Sequence, residues 1–392
     1  MNEKILNTGT QDFIFKNLYA DTVSVLLKKP ILEGVSNKEL VEQLEARKKS
    51  ENKLPTWFRT AKIYYPNKLN IEQTSSEITA RYKAGLVKGK SLLDATGGFG
   101  VDSLFFSKKV DRVFHCEIDE SLSGIAAHNF NLLAAKNIKT VPADGLKFLA
   151  DSKLQFDWIY LDPSRRNSNK GKVFRLSDCF PNILEYLELL FMKSRNVLLK
   201  TSPLLDLSVG LKELQSTREI HVVAANNEVK ELLWVLERGF KGSISVKTIN
   251  LAKKGDQNFD FLFDEEKIVS NTYSGPLSYL YEPNAAVMKS GGFKILGNRF
   301  SLKKLQEHTH LYTSDELIDF PGRIFKIEKI VPYNKNSMKQ LKVSKANVAT
   351  RNFPETVEKI RKKQHILDGG NIYLFFIKDC NDKKIVLSCL KL

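Results

Sequence analysis

The rhythm of apolar and polar positions changes near residue 90. Before that point the spacing is helical. Ser36 and Glu39 form a capping-box signature ahead of Leu40, Val41 and Leu44. Phe15, Leu18, Thr22 and Leu26 also recur at helical spacing. After a turn region marked by Pro55 and Pro66, the run at 71–87 (IEQTSSEITARYKAGLV) predicts one helix leading into a first strand. From Ser91 onward, short β-rich runs alternate with helical ones. Strands are predicted at 91–96, 112–118, 139–144, 156–163, 196–203 and 219–225. Helices are predicted between and after them at 102–109, 121–137, 145–151, 177–194 and 226–239. Alternation of this kind implies a parallel sheet covered by helices on both faces. The runs at 244–252 and 259–266 are separated by a short turn and predict a closing antiparallel hairpin.

Around 270–276 the composition shifts to SNTYSGP, which reads as a linker. A small mixed region follows to about Ile318. Beyond Pro321 the pattern predicts a strand at 323–331, a helix at 337–342, a strand at 345–350, a helix at 354–364, and strands at 371–378 and 383–390. The expected organisation is a helical region over 1–70, an α/β domain over 71–268, a small mixed region over 272–318 and an α+β unit over 319–392.

Composition narrows the class. With 42% hydrophobic and 27% charged residues over 392 positions, the chain is neither a rod, a collagen-like fibre nor a long disordered polymer. No run reaches the ~18 uncharged apolar residues of a membrane span, and the segment MNEKILNTGTQDF has no apolar core of a signal peptide. A cytoplasmic protein without a membrane partner is the expectation. The four cysteines, Cys116, Cys179, Cys380 and Cys389, form no C-x-x-C pair. Buried free thiols are expected, and no metal site.

Charge adds a partner class. Lys and Arg outnumber Asp and Glu by 61 to 45, a net of +16. From Asp319 to Leu392 there are 16 Lys/Arg against 7 Asp/Glu, so this fifth of the chain carries +9. Such an excess either meets a polyanion, such as nucleic acid, or forms a solvated basic face.

The candidate chemistry lies at the ends of the predicted strands. Leu92-Leu93-Asp94-Ala95-Thr96-Gly97-Gly98-Phe99-Gly100 runs from an apolar strand through an acid into three glycines and then a helix. Glycines there allow positive φ and close backbone approach to a ligand, and the place is the carboxyl edge of a parallel sheet. Glu117 stands at the tip of the second strand, where a carboxylate can accept two ribose hydroxyls. Asp119 is placed to cap the next helix. Asp144, after the third strand, is either an acceptor for an adenine amine or a helix cap. The fourth strand ends in Asp162-Pro163-Ser164-Arg165-Arg166. Asp162 can accept from an amine, and the arginines can hold a phosphate, stack on a base or simply face solvent. Lys200-Thr201-Ser202-Pro203 and Asn226-Asn227-Glu228 are two further runs that could line the same edge. The glycine spacing argues against a nicotinamide-dinucleotide site.

An acid–glycine loop with a distal Asp-Pro strand end resembles class I S-adenosylmethionine (SAM) dependent methyltransferases, over roughly Asn70 to Glu265. The resemblance implies a Rossmann-like sheet and SAM as cofactor. Asp94, Thr96, Gly97, Gly98, Phe99 and Gly100 would surround its methionine part. Glu117, with Ile118 beside it, would bind the ribose, and Asp144 would sit near the adenine. The segment with Glu72, Gln73, Ser75, Ser76, Glu77, Thr79 and Lys83 would close over the carboxylate. Asp162, Pro163, Ser164 and Arg165 resemble the Asp-Pro-Pro-aromatic motif of amino-methylating nucleic-acid enzymes, with Ser164 and Arg165 departing from it. Methylation of an exocyclic amine is therefore the implied chemistry.

Tyr281-Glu282-Pro283-Asn284 and the run Asn347 to Pro354 resemble a bacterial methyltransferase group with a C-terminal THUMP-like domain, over about Leu277 to Leu392. THUMP-type modules bind RNA, so RNA, as tRNA or rRNA, is the implied partner. Arg166, Lys342, Lys345, Arg351, Arg361, Lys362 and Lys363 are the candidate phosphate contacts. The expected function is thus RNA methylation on a base nitrogen, as the resemblance implies. The rivals are the same chemistry on DNA or protein, and a non-catalytic RNA-binding protein with a relict nucleotide fold.

Overall fold

The computed structural model describes residues 1–165 and 175–392 and divides into two units. The first contains Met1–Arg218 and Leu232–Lys241, and the second Glu219–Glu231 and Gly242–Leu392.

The first unit begins with helices α1 (Thr8–Lys16), α2 (Thr22–Leu26), α3 (Asn37–Lys53), α4 (Pro55–Arg59), α5 (Lys68–Gln73) and α6 (Glu77–Ala84). The Ser36–Glu39 capping box opens α3. Two expected helices are broken by their own caps. Asp21 accepts the N–H groups of Val23 and Ser24 and starts α2 afresh. Phe15 and Leu26 are consequently exposed, while Leu18 is buried. Ser76 likewise caps α6, so the stretch at 71–87 forms parts of α5 and α6 rather than one helix.

The sheet of this unit follows from the alternation. It uses β1 (Gly89–Asp94), β2 (Val110–Cys116), β3 (Ile138–Val141) and β4 (Phe156–Leu161), with α7 (Val101–Phe106), α8 (Glu120–Leu132) and α9 (Gly145–Asp151) between them. The short β5 (Ser164–Arg165) and β6 (Cys179–Phe180) pair antiparallel. After α10 (Leu187–Lys193) come β7 (Ser194–Thr201) and α11 (Leu207–Glu213). The expected helix at 177–194 survives only as α10, because Pro181 withholds a backbone donor and two 3₁₀ turns precede it. The chain then runs through β8 (Thr217–Ala225) and returns as β9 (Glu228–Glu237). Within the unit the strand order is β3-β2-β1-β4-β7-β9. All neighbours are parallel except β9, which runs antiparallel to β7. Ile159, Leu161, Val197, Leu198 and Leu199 are fully buried, as parallel strands covered on both faces require.

The stretch at 226–239 corrects the sequence reading, since it is strand and not helix. Asn226 and Asn227 both take positive φ, 51° and 64°, and form a two-residue hairpin turn between β8 and β9. Leu232 to Leu236 are then buried without a break.

In the second unit, β8 is parallel to β10 (Ser245–Leu251), which pairs antiparallel with β11 (Gln257–Leu262), the expected hairpin. After α12 (Glu265–Ile268) come β12 (Tyr279–Pro283), α13 (Ala285–Ser290), α14 (Phe293–Arg299), β13 (Lys303–Lys304) and β14 (Tyr312–Ser314). They are followed by β15 (Gly322–Pro332), α15 (Lys335–Leu341), β16 (Lys345–Arg351), α16 (Val357–Gln364), β17 (Leu367–Lys378) and β18 (Lys384–Lys391). These strands form a sheet in the order β13-β14-β12-β15-β18-β17-β16. The period of two along β17 builds two cores. Phe375 and Ile377 join Leu280, Phe325 and Leu387 on one face, and Leu374 and Phe376 join Met338, Ile360 and Val386 on the other. Three of the cysteines are buried free thiols, while Cys380 is exposed, contrary to expectation.

Candidate functional site

The glycine loop is shaped by what lies beneath it. Asp94 ends β1, and Gly100, at φ 86°, starts α7. A Cβ on Gly97 would lie 2.2 Å from the His115 ring, and one on Gly100 2.3 Å from Phe130, so neither position admits a side chain. Gly98 faces the other way. A Cβ there would meet only Thr96 O, at 4.0 Å, which leaves open space for a ligand against the loop. The Gly98 N–H donates to Glu117 Oε2 at 2.8 Å, and the Asp119 N–H to Glu117 Oε1 at 2.8 Å. Next to Glu117, just beyond the end of β2, Ile118 is 66% exposed, an apolar face offered to a flat group. Asp119 caps α8 as expected.

Asp144 caps α9, its Oδ1 accepting from Leu146 N and Lys147 N at 2.8 and 3.1 Å. Gly145, which the sequence reading passed over, is what lets α9 start there. A Cβ on it would stand 2.2 Å from Ala95 O in the loop after β1.

The tips of β4 and β7 meet the same loop. The Asp162 N–H donates to Thr96 Oγ1 at 2.7 Å. Its carboxylate pairs with Lys200 Nζ, whose side chain is largely buried. Ser164 Oγ donates to Phe180 O at 3.3 Å, and Arg165 contributes its backbone to β5. Arg166 lies outside the described residues.

Two buried polar clusters support the loop. In one, Ser103 Oγ donates to Asp94 Oδ2 at 2.6 Å and lies 3.0 Å from His115 Nδ1, while His115 Nε2 has no hydrogen-bond partner among the described residues. Burial pushes Asp94 up to about 7, helped by the nearby charges of Asp102 and Asp162. Burial pushes His115 down to about 4. In the other cluster, Lys83 Nζ lies 3.2 Å from Asp102 Oδ1, and Asp102 Oδ2 accepts from Ser75 Oγ and Tyr160 Oη at 2.8 and 2.9 Å. Although burial works against it, the Lys83 and Lys200 charges help hold the Asp102 carboxyl below its ordinary value.

These clusters change how several expected ligand residues are placed. Lys83 is fully buried against Asp102, and Phe99 is buried 6.1 Å from the Trp57 ring, so neither side chain reaches an open cleft. Both oxygens of Asp94 are engaged, by Thr96 N in the loop and by Ser103 Oγ on α7. Ser76 and Thr79 form the cap of α6, and Gln73 is exposed at the end of α5. Ser75, Asp102 and Ser103 lie in the two segments singled out from the sequence, but their role beneath the loop, like His115 and Tyr160 themselves, was missed. The signal for the last two was a polar residue inside an apolar strand run.

In the second unit, Lys342, Lys345 and Lys362 are exposed. Arg361 donates to Asp368 and to Ala346 O, at 2.5 and 3.1 Å, and Lys363, itself exposed, pairs with Glu355. Arg351 is paired with Glu282 at 2.7 Å.

A sheet ordered β3-β2-β1-β4-β7 and closed by antiparallel β9, with a glycine loop after β1 and acids at the tips of β2 and β4, defines a class I SAM-dependent methyltransferase fold. Residues 279–321 match a ferredoxin-like domain model, and residues 322–391 match a THUMP domain-like model. The chain is similar to a crystal structure from Porphyromonas gingivalis W83, provisionally described as a methyltransferase. The TM-score is 0.90 at 30% identity, covering 100% of this chain and 99% of that one. It is also 26% identical over 249 residues to uncharacterized S-adenosylmethionine-dependent methyltransferases from two strains of Mycobacterium tuberculosis. That match covers 63% of this chain and 65% of theirs, just under two thirds of their length. The chain belongs to this family of class I SAM-dependent methyltransferases with a C-terminal THUMP-like domain. The residues present fit the cofactor, with open space at Gly98, a carboxylate at Glu117 set for a diol and an exposed apolar side chain at Ile118.

Proposed function

We propose that this protein methylates RNA, tRNA or rRNA, on a base nitrogen. The observation that carries the reading is the Asp162–Lys200 pair at the tips of β4 and β7, tied to the glycine loop through Thr96. Bound SAM supplies a methyl group activated by its sulfonium. The Thr96–Gly100 loop would hold the methionine part, Glu117 the ribose and Ile118 one face of the adenine. Asp144 would stand at the adenine edge. The chain's further task is to present a nucleophile in line, because alignment supplies most of the rate in such transfers. Asp162 would accept a hydrogen bond from the amine and take part in removing its proton. Lys200 would fix the carboxylate's direction. Pro163 has no N–H, so no backbone donor competes at the strand tip. Lys83 would act through Asp102 and Ser75 rather than on the ligand.

The substrate class is supported by the second unit. It matches a THUMP domain-like model, and Asp319–Leu392 carries +9. Structured RNA is read largely through shape and backbone, which such a surface suits. A base within a helix would have to be flipped out to reach Asp162.

The test is transfer of labelled methyl from SAM to total RNA, DNA and protein fractions from cells lacking the protein. Label in a discrete RNA species is the expected result. Label confined to DNA or protein would overturn the substrate, and no label in any fraction would overturn the activity.

A further inference from the structure

A buried carboxylate in the second unit holds two arginines. Glu282 is 3% exposed on β12, directly opposite Arg323 of β15 in the antiparallel register. Its Oε2 accepts from Arg323 Nε at 2.6 Å, with Arg323 Nη2 also in contact. Its Oε1 accepts from Arg351 Nη2 at 2.7 Å, at the end of β16. The two oxygens of one carboxylate thus hold both guanidiniums.

One bidentate arginine is enough to compensate a buried carboxylate. The second leaves the cluster at +1, and among the described residues no other carboxylate pairs with either arginine. Each arginine side chain is 37% exposed, and Arg351 Nη1 also donates to Thr350 O at 3.1 Å.

We propose that Arg323 and Arg351, aligned by Glu282, form a site for one phosphodiester of the RNA backbone. The proposal rests on the RNA reading above and deepens it. A planar guanidinium pair matches phosphate oxygens in a way that lysines do not. One phosphodiester charge brings the cluster to neutrality. Glu282 is a positioning residue that spares the arginines the entropy of being ordered on binding.

The test uses the full chain, a fluorescein-labelled RNA hairpin and inorganic pyrophosphate. The variants are R323Q, R351Q, the double variant, and R323K/R351K, which keeps the charge that Glu282 needs. SAM affinity and thermal melting report folding. The expected result is hairpin binding weakened about tenfold in each single variant, with the slope of log K against log salt reduced by about one. Because both arginines share one phosphate, the double variant should lose about one in slope, not two. Pyrophosphate should broaden in phosphorus NMR with the wild type and not with the double variant. The lysine pair should bind more weakly than wild type although its charge is unchanged.

Wild-type hairpin affinity and slope in folded variants would overturn the site and leave the RNA reading standing. A loss of two in the double variant would overturn the shared phosphate. Failure of the wild type to bind hairpin or pyrophosphate would overturn the site. Methyl transfer to RNA judges the RNA reading separately.

Discussion

Thr96 Oγ1 accepts the Asp162 N–H at 2.7 Å, so one hydroxyl couples the loop after β1 to the tip of β4. The proposed cofactor loop and the proposed amine acceptor therefore keep a fixed relation. Removing the hydroxyl in T96V should lower kcat about tenfold, the order of one lost hydrogen bond at a positioned group. SAM affinity should change little, and T96S should restore the rate. Equal losses of kcat and SAM affinity would show that Thr96 serves the loop alone.

Asp162 itself allows a sharper division. D162A should bind SAM within a few-fold of wild type by calorimetry, while methyl transfer falls by about 10²–10⁴-fold. K200M should lower transfer less, because the Asp162 carboxylate itself remains at the strand tip. Unchanged turnover in D162A would remove Asp162 from the mechanism.

Glu117 is held by the N–H groups of Gly98 and Asp119 at 2.8 Å each. Its carboxylate is thus pre-positioned before any ribose arrives. E117A should weaken SAM binding by about 10–100-fold, the range expected for hydrogen bonds to a charged acceptor. Undiminished affinity would place the ribose elsewhere.

The parallel strands and the glycine loop were legible because both are local. Apolar runs of strand length ended in Gly, Asp or Pro, and the loop residues are contiguous. What failed depended on partners distant in sequence. The stretch from Asn226 to Gly239 offers Val229, Leu232, Leu233 and Leu236 at helical spacing, and Asn before such a run is also a helix cap. The same two asparagines suit a left-handed hairpin turn, and a strand buried on both faces has no alternation to betray it. Only the edge of β7 decides between them. Lys83 was legible as a chemically active residue but not as a buried one. Its counter-ion Asp102 sits on α7, and nothing in the spacing says that α6 packs there. The Arg323–Glu282–Arg351 cluster was hidden for the same reason, with its members on β15, β12 and β16.

The Lys83–Asp102 pair gives a stability prediction. K83M leaves the buried Asp102 carboxylate without its nearest cation, and such losses cost about 3–5 kcal/mol. K83M/D102N removes both charges and should recover much of that. Denaturation of the two singles and the double should show strong coupling. Additive effects would mean that the pair is not the unit that matters.

Asp94 and His115 predict an unusual pH profile, because they share one proton in both states. In the folded protein Asp94 is raised to about 7 and His115 lowered to about 4, so between those values the pair holds one proton, on Asp94. Unfolded, with ordinary values of 3.8 and 6.5, it also holds one between them, on His115. Equal proton counts mean that stability is flat for this pair from about pH 4 to 6.5. From 6.5 to 7 the folded state keeps a proton that the unfolded state has lost, so stability falls slightly as pH rises. D94N removes half of the balance. His115 then stays neutral when folded but charges when unfolded below 6.5. Stability of D94N should therefore fall as pH drops from 6.5 toward 4, by up to about 1.4 kcal/mol per pH unit relative to wild type. Urea denaturation of both proteins across that interval checks it. Parallel profiles would mean that His115 is not held neutral beneath the glycine loop.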